Sequence, residues 1–105
     1  MVEYTLQLDS IFSSLADATR RDILRRVLQA ELSISEIAEP YDMSLAAISK
    51  HIKILEKARL IMKRRHGKQQ LITADPTTLQ QATEYLYNYQ TLWTDRHDVL
   101  EELLK

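Results

Sequence analysis

The sequence predicts a mainly α-helical fold with one small β-hairpin, about five helices forming a single domain over residues 1–105. Three observations predict it. Glycine occurs once and proline twice in 105 residues, which favours long helices over tight turns. Between Ser35 and Lys57 a short helical stretch, a break at Pro40 and a longer amphipathic stretch follow one another. Gly67, the single glycine, stands between two extended segments, where a hairpin turn needs its positive φ.

Taken in order, residues 3–14 read as a short first helix, with Leu6, Leu8, Ile11 and Phe12, and Leu15 just beyond, available for burial. Asp17 is placed to cap a second helix running to about Ala30, because its carboxylate can accept from free N–H groups of the first turn. Ile23, Leu24, Val27 and Leu28 form its inward stripe, and Arg20, Arg21, Arg25 and Arg26 take the other face. Ser35 is read as the cap of a third helix, Glu36 to about Glu39. Pro40 ends it, since the residue before a proline is pushed out of the α region. Tyr41, Asp42 and Met43 make the connection, and Ser44 caps the next helix. There Leu45, Ile48, Ile52 and Leu55 step by three, four and three, an inward stripe. Ala46, Ser49, Lys50, Lys53 and Lys57 take the opposite face.

A short helix, a tight turn and a second helix with an inward aliphatic stripe make a helix-turn-helix. The small residues Ser44, Ala46, Ala47 and Ser49 would let the start of that second helix sit deep in a DNA major groove, about 12 Å wide, while lysines reach phosphates. Leu60 to Arg65 and Gln69 to Thr73, joined through His66, Gly67 and Lys68, then form a basic hairpin directly after the recognition helix. Such a hairpin is a wing, able to lie along the backbone or enter the minor groove. The expected fold is therefore a winged helix-turn-helix. The candidate DNA contacts are Ser44, Ala46, Ser49, Lys50, His51, Lys53, Arg64, Arg65, His66 and Lys68, and the partner is double-stranded DNA.

Charge supports the same face. The formal net charge is −1, but residues 44–68 hold eight basic residues against the single acid Glu56, a net +7. Residues 1–43 and 69–105 each sum to −4. A basic block between two acidic arms is the footprint of a surface that meets a polyanion.

Asp75 and Pro76 open a last helix of about 28 residues. Leu79, Leu86, Trp93 and Leu100 recur every seven residues, and Ala82, Tyr89, Arg96 and Leu103 form a second register in which Arg96 is the one non-apolar member. That pattern predicts a helix–helix seam with a second copy of the chain, a homodimer interface through Leu79, Leu86, Tyr89, Trp93 and Leu100. Tyr85, Tyr87, Tyr89 and Trp93 are read mainly as dimer packing, with an effector pocket between terminal helices as the lesser alternative.

Other classes are excluded or disfavoured. The chain has no cysteine, so it has no disulfide, thiolate metal site or cysteine nucleophile. No apolar run approaches the roughly 20 residues of a membrane-spanning helix. Glu3 and Asp9 sit where a signal peptide would be basic, so a cytoplasmic location is expected. There is no glycine-rich phosphate loop, and Ser49 and His51 lack an orienting carboxylate; no enzyme activity and no cofactor are expected. A protein-interaction module built on the last helix is the rival to DNA binding.

Two stretches resemble ArsR-type winged-helix repressors: Leu15 to Leu24 (LADATRRDIL), and Ser35 to Leu45 (SEIAEPYDMSL) followed by Ile48 to Glu56 (ISKHIKILE). The resemblance covers nearly the whole chain. It implies a homodimeric transcription regulator, usually a repressor, with the first and last helices at the dimer interface. Many members sense metals, and the residues that match those sites matter. Where the family places a Cys-x-Cys after a Glu-Leu pair, this chain has Glu31-Leu32-Ser33-Ile34-Ser35. Neutral hydroxyls are poor ligands for a soft metal. Asp95-Arg96-His97 matches the opening of the family's other site, whose continuation would fall past Lys105; two ligands rarely make a closed zinc site. Trp93-x-x-Arg96-His97-Asp98 instead resembles a metal-independent branch, so no metal ligands are assigned, with a zinc-responsive repressor using Asp95 and His97 as the alternative. The departures include Arg59, where the family usually has a helix-ending glycine, and Ala46-Ala47 in place of a small-residue and proline pairing. An effector of unidentified kind, small molecule or protein, remains compatible with the sequence.

Overall fold

Caps decide where the helices begin. The computed structural model describes residues 2–104, with side chains described outside 2–6 and 99. It runs α1 (Val2–Ser14), α2 (Ala18–Gln29), β1 (Leu32–Ser33), α3 (Ile34–Ala38), α4 (Leu45–Lys57), β2 (Ile61–His66), β3 (Gln69–Ala74) and α5 (Pro76–Leu103). The Asp17 carboxylate accepts from the Arg20 N–H at 3.0 Å and opens α2; that bond is the main reason its carboxyl sits below the usual range. Ser44 Oγ accepts from the Ala47 N–H at 3.1 Å and opens α4. The Asp75 carboxylate accepts from the Thr77 N–H at 3.0 Å, with Pro76 in the first turn of α5.

The third helix begins two residues earlier than expected. Ser33, not Ser35, is its cap: Ser33 Oγ accepts from the Glu36 N–H at 3.2 Å, and the Glu36 carboxylate accepts from the Ser33 N–H at 2.9 Å. This reciprocal pair needs a glutamate three residues after the serine, which Ser33 has and Ser35 lacks.

One core unites the elements. Ile11 of α1, Ile23, Leu24 and Val27 of α2, Ile37 of α3, and Ile48, Ile52 and Leu55 of α4 pack with Leu60, Ile61 and Ile72. Leu8 is buried as well, while Leu6 lies outside the described side chains. Two expected stripe residues do not join. Leu28 is 50% exposed and Leu45 57% exposed. Each sits in the terminal turn of its helix, where no neighbouring element covers it.

The sheet has three antiparallel strands in the order β1-β3-β2. β2 and β3 form the expected wing, in register from Ile61 opposite Ala74 to His66 opposite Gln69, and Gly67 turns the corner at φ 63°. β1 was not anticipated. It adds Leu32 opposite Ile72 and Ser33 opposite Leu71, fastening the wing's inner strand to the start of α3.

α4 ends in a Schellman arrangement. The Leu60 N–H donates to the Leu55 carbonyl at 3.1 Å and the Arg59 N–H to the Glu56 carbonyl at 2.9 Å. The residue at the left-handed position is Arg59, at φ 63°, and not a glycine. A side chain there costs about 1–2 kcal/mol, partly offset in a glycine variant by the greater freedom of its unfolded chain. Arg59→Gly is therefore expected to stabilise the domain by about 0.5–1 kcal/mol, a rise in Tm of roughly 3–5 °C by calorimetry.

Among the described residues, it is the first turns of α5 that touch the body. Thr78 and Ala82 are buried and Leu79 is packed against the chain's own core. Leu79, the first of the expected seam residues, lies partly buried against its own domain. From Leu86 onward the described side chains of α5 are exposed, and the molecule measures 64 × 31 × 20 Å.

Candidate nucleic-acid interface

The α4 stripe settles which side chains face outward. With Ile48, Ile52 and Leu55 fully buried, Ser44, Leu45, Ala46, Lys50, Lys53 and Lys57 are exposed and Ser49 is half-buried. An open cleft of about 430 Å³ lies where the first turns of α3 and α4 meet the wing; Ser35, Leu45, Ser49, Arg65, Lys68 and Gln69 are among its walls. The α4 face and the wing therefore present one continuous surface.

The turn that sets α3 against α4 is braced from α2. Arg26 donates to the Ile37 carbonyl at 2.7 Å and the Glu36 carbonyl at 2.9 Å, satisfying groups that a short helix leaves open, and its guanidinium lies 5.4 Å from the centre of the Tyr41 ring. The Tyr41 hydroxyl donates to the Asp22 carboxylate. That bond, then Arg25, holds the Asp22 carboxyl below its usual value, while burial and then Asp22 push the Tyr41 hydroxyl up. The helix-turn-helix angle is thus fixed by charge-assisted bonds as well as by packing.

The basic block divides into committed and uncommitted charges. Arg64 forms a two-pronged pair with Glu31, both bonds 2.7 Å, which lowers the Glu31 carboxyl and raises the Arg64 guanidinium. Lys63 Nζ lies 3.4 Å from Glu56. Lys50, Lys53, Lys57, Arg65 and Lys68 form no ion pair with a carboxylate among the described residues. Of the ten candidate contacts, Ser44, Ala46, Ser49, Lys50, Lys53, Arg65 and Lys68 share the α4–wing surface, and His66 is exposed at the wing tip. Two stand apart. Arg64 is engaged by Glu31, and His51 turns toward α2, its side chain 18% exposed, with Nδ1 at 3.3 Å from the Arg20 guanidinium and 3.9 Å from Asp17. Leu45 joins this surface although its spacing assigns it to the inward stripe; it is the first residue of the helix.

The remaining seam residues are open. Leu86, Tyr89, Trp93 and Leu100 are 54%, 57%, 64% and 48% exposed. His97 packs its ring 5.9 Å from that of Trp93, one turn away on α5. Among the described residues no group of three or more His, Cys, Asp or Glu could hold a metal ion within one chain, and no helix is long and apolar enough to cross a membrane.

Comparisons with known proteins agree with this architecture. The profile of a family described as "Helix-turn-helix domain" matches residues 15–64. The HTH-type transcriptional regulator Rv2034 of Mycobacterium tuberculosis is 38% identical over 71 residues, 68% of this chain and 66% of that protein, so the chain spans just under two thirds of its length. The transcriptional repressor SdpR of Bacillus subtilis is 29% identical over 82 residues, covering 78% of this chain and 91% of the repressor. A crystal structure of an ArsR family transcriptional regulator superposes with a TM-score of 0.80 at 33% identity, covering 86% of this chain and 93% of that one.

Proposed function

The chain belongs to the ArsR family of helix-turn-helix transcriptional regulators, and on that premise we propose that it is a homodimeric repressor that binds operator DNA without thiolate metal sensing. The observation that carries the reading is the exposed α4 face, uncharged at its start and cationic beyond, continuous with a wing that offers Arg65 and Lys68. A dimer would set two copies of α4 in successive major grooves about 34 Å apart. The first turn of each reads bases, and Lys50, Lys53, Lys57 and the wing fix register on phosphates. Exposed apolar residues on α5, from Leu86 to Leu100, supply the seam that joins the two copies.

Two observations favour metal independence. Serine stands at both positions of the family's thiolate site, and the Ser33 hydroxyl is already used as the cap of α3. The zinc-responsive alternative rests on Asp95 and His97, both exposed on α5.

The test is binding of the full chain to the DNA upstream of its own gene, followed by fluorescence anisotropy at several salt concentrations, with added zinc and with chelator. Affinity that falls steeply with salt, exceeds that for unrelated duplex and ignores both additions is the expected result. Release by zinc that chelator reverses would favour Asp95 and His97. Equal binding to every duplex would reject a specific operator.

A further inference from the structure

The first turn of α4 carries an unusual chemistry for a helix read as entering a groove. Half-buried Ser49 opens the second turn, and the outward groups of the first turn are the aliphatic side chains of Leu45 and Ala46. That first turn holds no amide, carboxylate or guanidinium, so it cannot form the two-pronged bonds that select guanine or adenine. Leu45 is 57% exposed at the mouth of the cleft, with Lys50 and Lys53 further along the same helix and Arg65 and Lys68 across from it. An apolar side chain with cations on its own helix and across the cleft is suited to a polyanion's surface. The one feature an aliphatic group can distinguish in the major groove is the 5-methyl of thymine.

We propose that Leu45 and Ala46 read thymine 5-methyl groups, so that each operator half-site carries A·T pairs beneath the first turn of α4. Selection there comes from burying methyl against methyl, while Ser49 tolerates either orientation of the pair. Specificity is therefore spread over several modest apolar contacts, and affinity comes chiefly from the lysines and the wing. This inference rests on α4 being the helix that enters the groove.

The experiment separates the two. Duplexes are selected from a randomised pool by the full chain, and the enriched duplex is resynthesised with uracil replacing each thymine in turn, which removes only the methyl. Uracil at one or two positions in each half-site should weaken binding about fourfold per methyl, the equivalent of about 0.8 kcal/mol. In Leu45→Ala, whose removed side chain is largely exposed and whose fold is checked by circular dichroism, the same uracil should cost much less. If no uracil position weakens binding, or if the loss is undiminished in both Leu45→Ala and Ala46→Gly, methyl reading is overturned. The double variant Lys50→Ala/Lys53→Ala is measured on the same duplex. If it binds as tightly as the unaltered chain, groove entry by α4 fails first, and methyl reading with it.

Discussion

Replacing Leu86 and Trp93 together with glutamate is expected to yield a folded monomer that binds an operator 10²- to 10⁴-fold more weakly. The two side chains are 54% and 64% exposed, on the part of α5 that has left the body of the domain. Neither belongs to the core that unites α1 to α4 and the wing, so the fold does not depend on them. In a seven-residue repeat they occupy successive positions of one seam, and a pair of charges at each cannot be buried against a second copy without a large desolvation cost. The loss on DNA follows from valency. Two linked recognition helices hold each other at high effective concentration, and a monomer forfeits that gain without losing a single DNA contact of its own. Sedimentation velocity reads the mass, and anisotropy on a selected duplex reads the affinity. A second signature is thermal: melting of the unaltered protein should depend on its concentration, and melting of the variant should not. A variant that remains dimeric would remove α5 from the interface.

The second large effect lies on the basic face. Lys50→Ala with Lys53→Ala, which removes four lysines from a dimer, should reduce operator affinity about 10⁴-fold while leaving dimerisation and melting temperature unchanged. Both lysines are exposed and neither pairs with a carboxylate among the described residues, so folding loses nothing with them. A charged hydrogen bond to phosphate contributes about 1.5 kcal/mol at the low end of its range, or roughly tenfold for each residue. The salt dependence is the sharper readout. A dimer loses four of these lysines, so four fewer neutralised phosphates should flatten the slope of log affinity against log salt by about 4, uniformly across sequences. Arg64 provides the contrast. Its guanidinium is occupied by Glu31, so removing it should disturb the wing more than the slope.

Local chemistry makes much of this fold legible in the sequence. Asp17, Ser44 and the Asp75-Pro76 pair announce their helices because caps act within three residues of chain. The buried positions Ile48, Ile52 and Leu55 follow from helical periodicity alone. Gly67 marks the wing because a positive φ has few other tenants. What escaped was non-local, or sat at an element's end. A two-residue strand has no periodicity to detect, and Leu32 and Ser33 become β1 only because residues 71 and 72 lie beside them. The Glu31–Arg64 pair and the His51–Arg20 approach span more than thirty residues each, so two basic-face candidates were judged without their partners. Leu28 and Leu45 fit their stripes by spacing, but a stripe cannot report where its covering neighbour stops. The heptad likewise continues unbroken from Leu79, which packs on its own domain, to residues of α5 that stand clear of it. The cap of α3 is different. Ser33 followed by Glu36 was present in the sequence as a capping box and was passed over for the nearer serine.

Arg20 connects features so far described separately. Its Nε donates to the Ser14 carbonyl at the end of α1 at 2.6 Å, Nη2 donates to the Ser13 carbonyl at 3.4 Å, and Nη1 reaches His51 in α4. One rigid, planar group is thus a strut between the first helix and the reading helix. Sliding α1 relative to α4 means surrendering bonds from a charged donor, each a matter of about 1.5–3 kcal/mol. If α1 shares the seam with α5, as the chain's family implies, the strut works as a gauge block. The separation of two reading heads would then be a stiff dimension of the assembly, set inside each subunit before any DNA arrives.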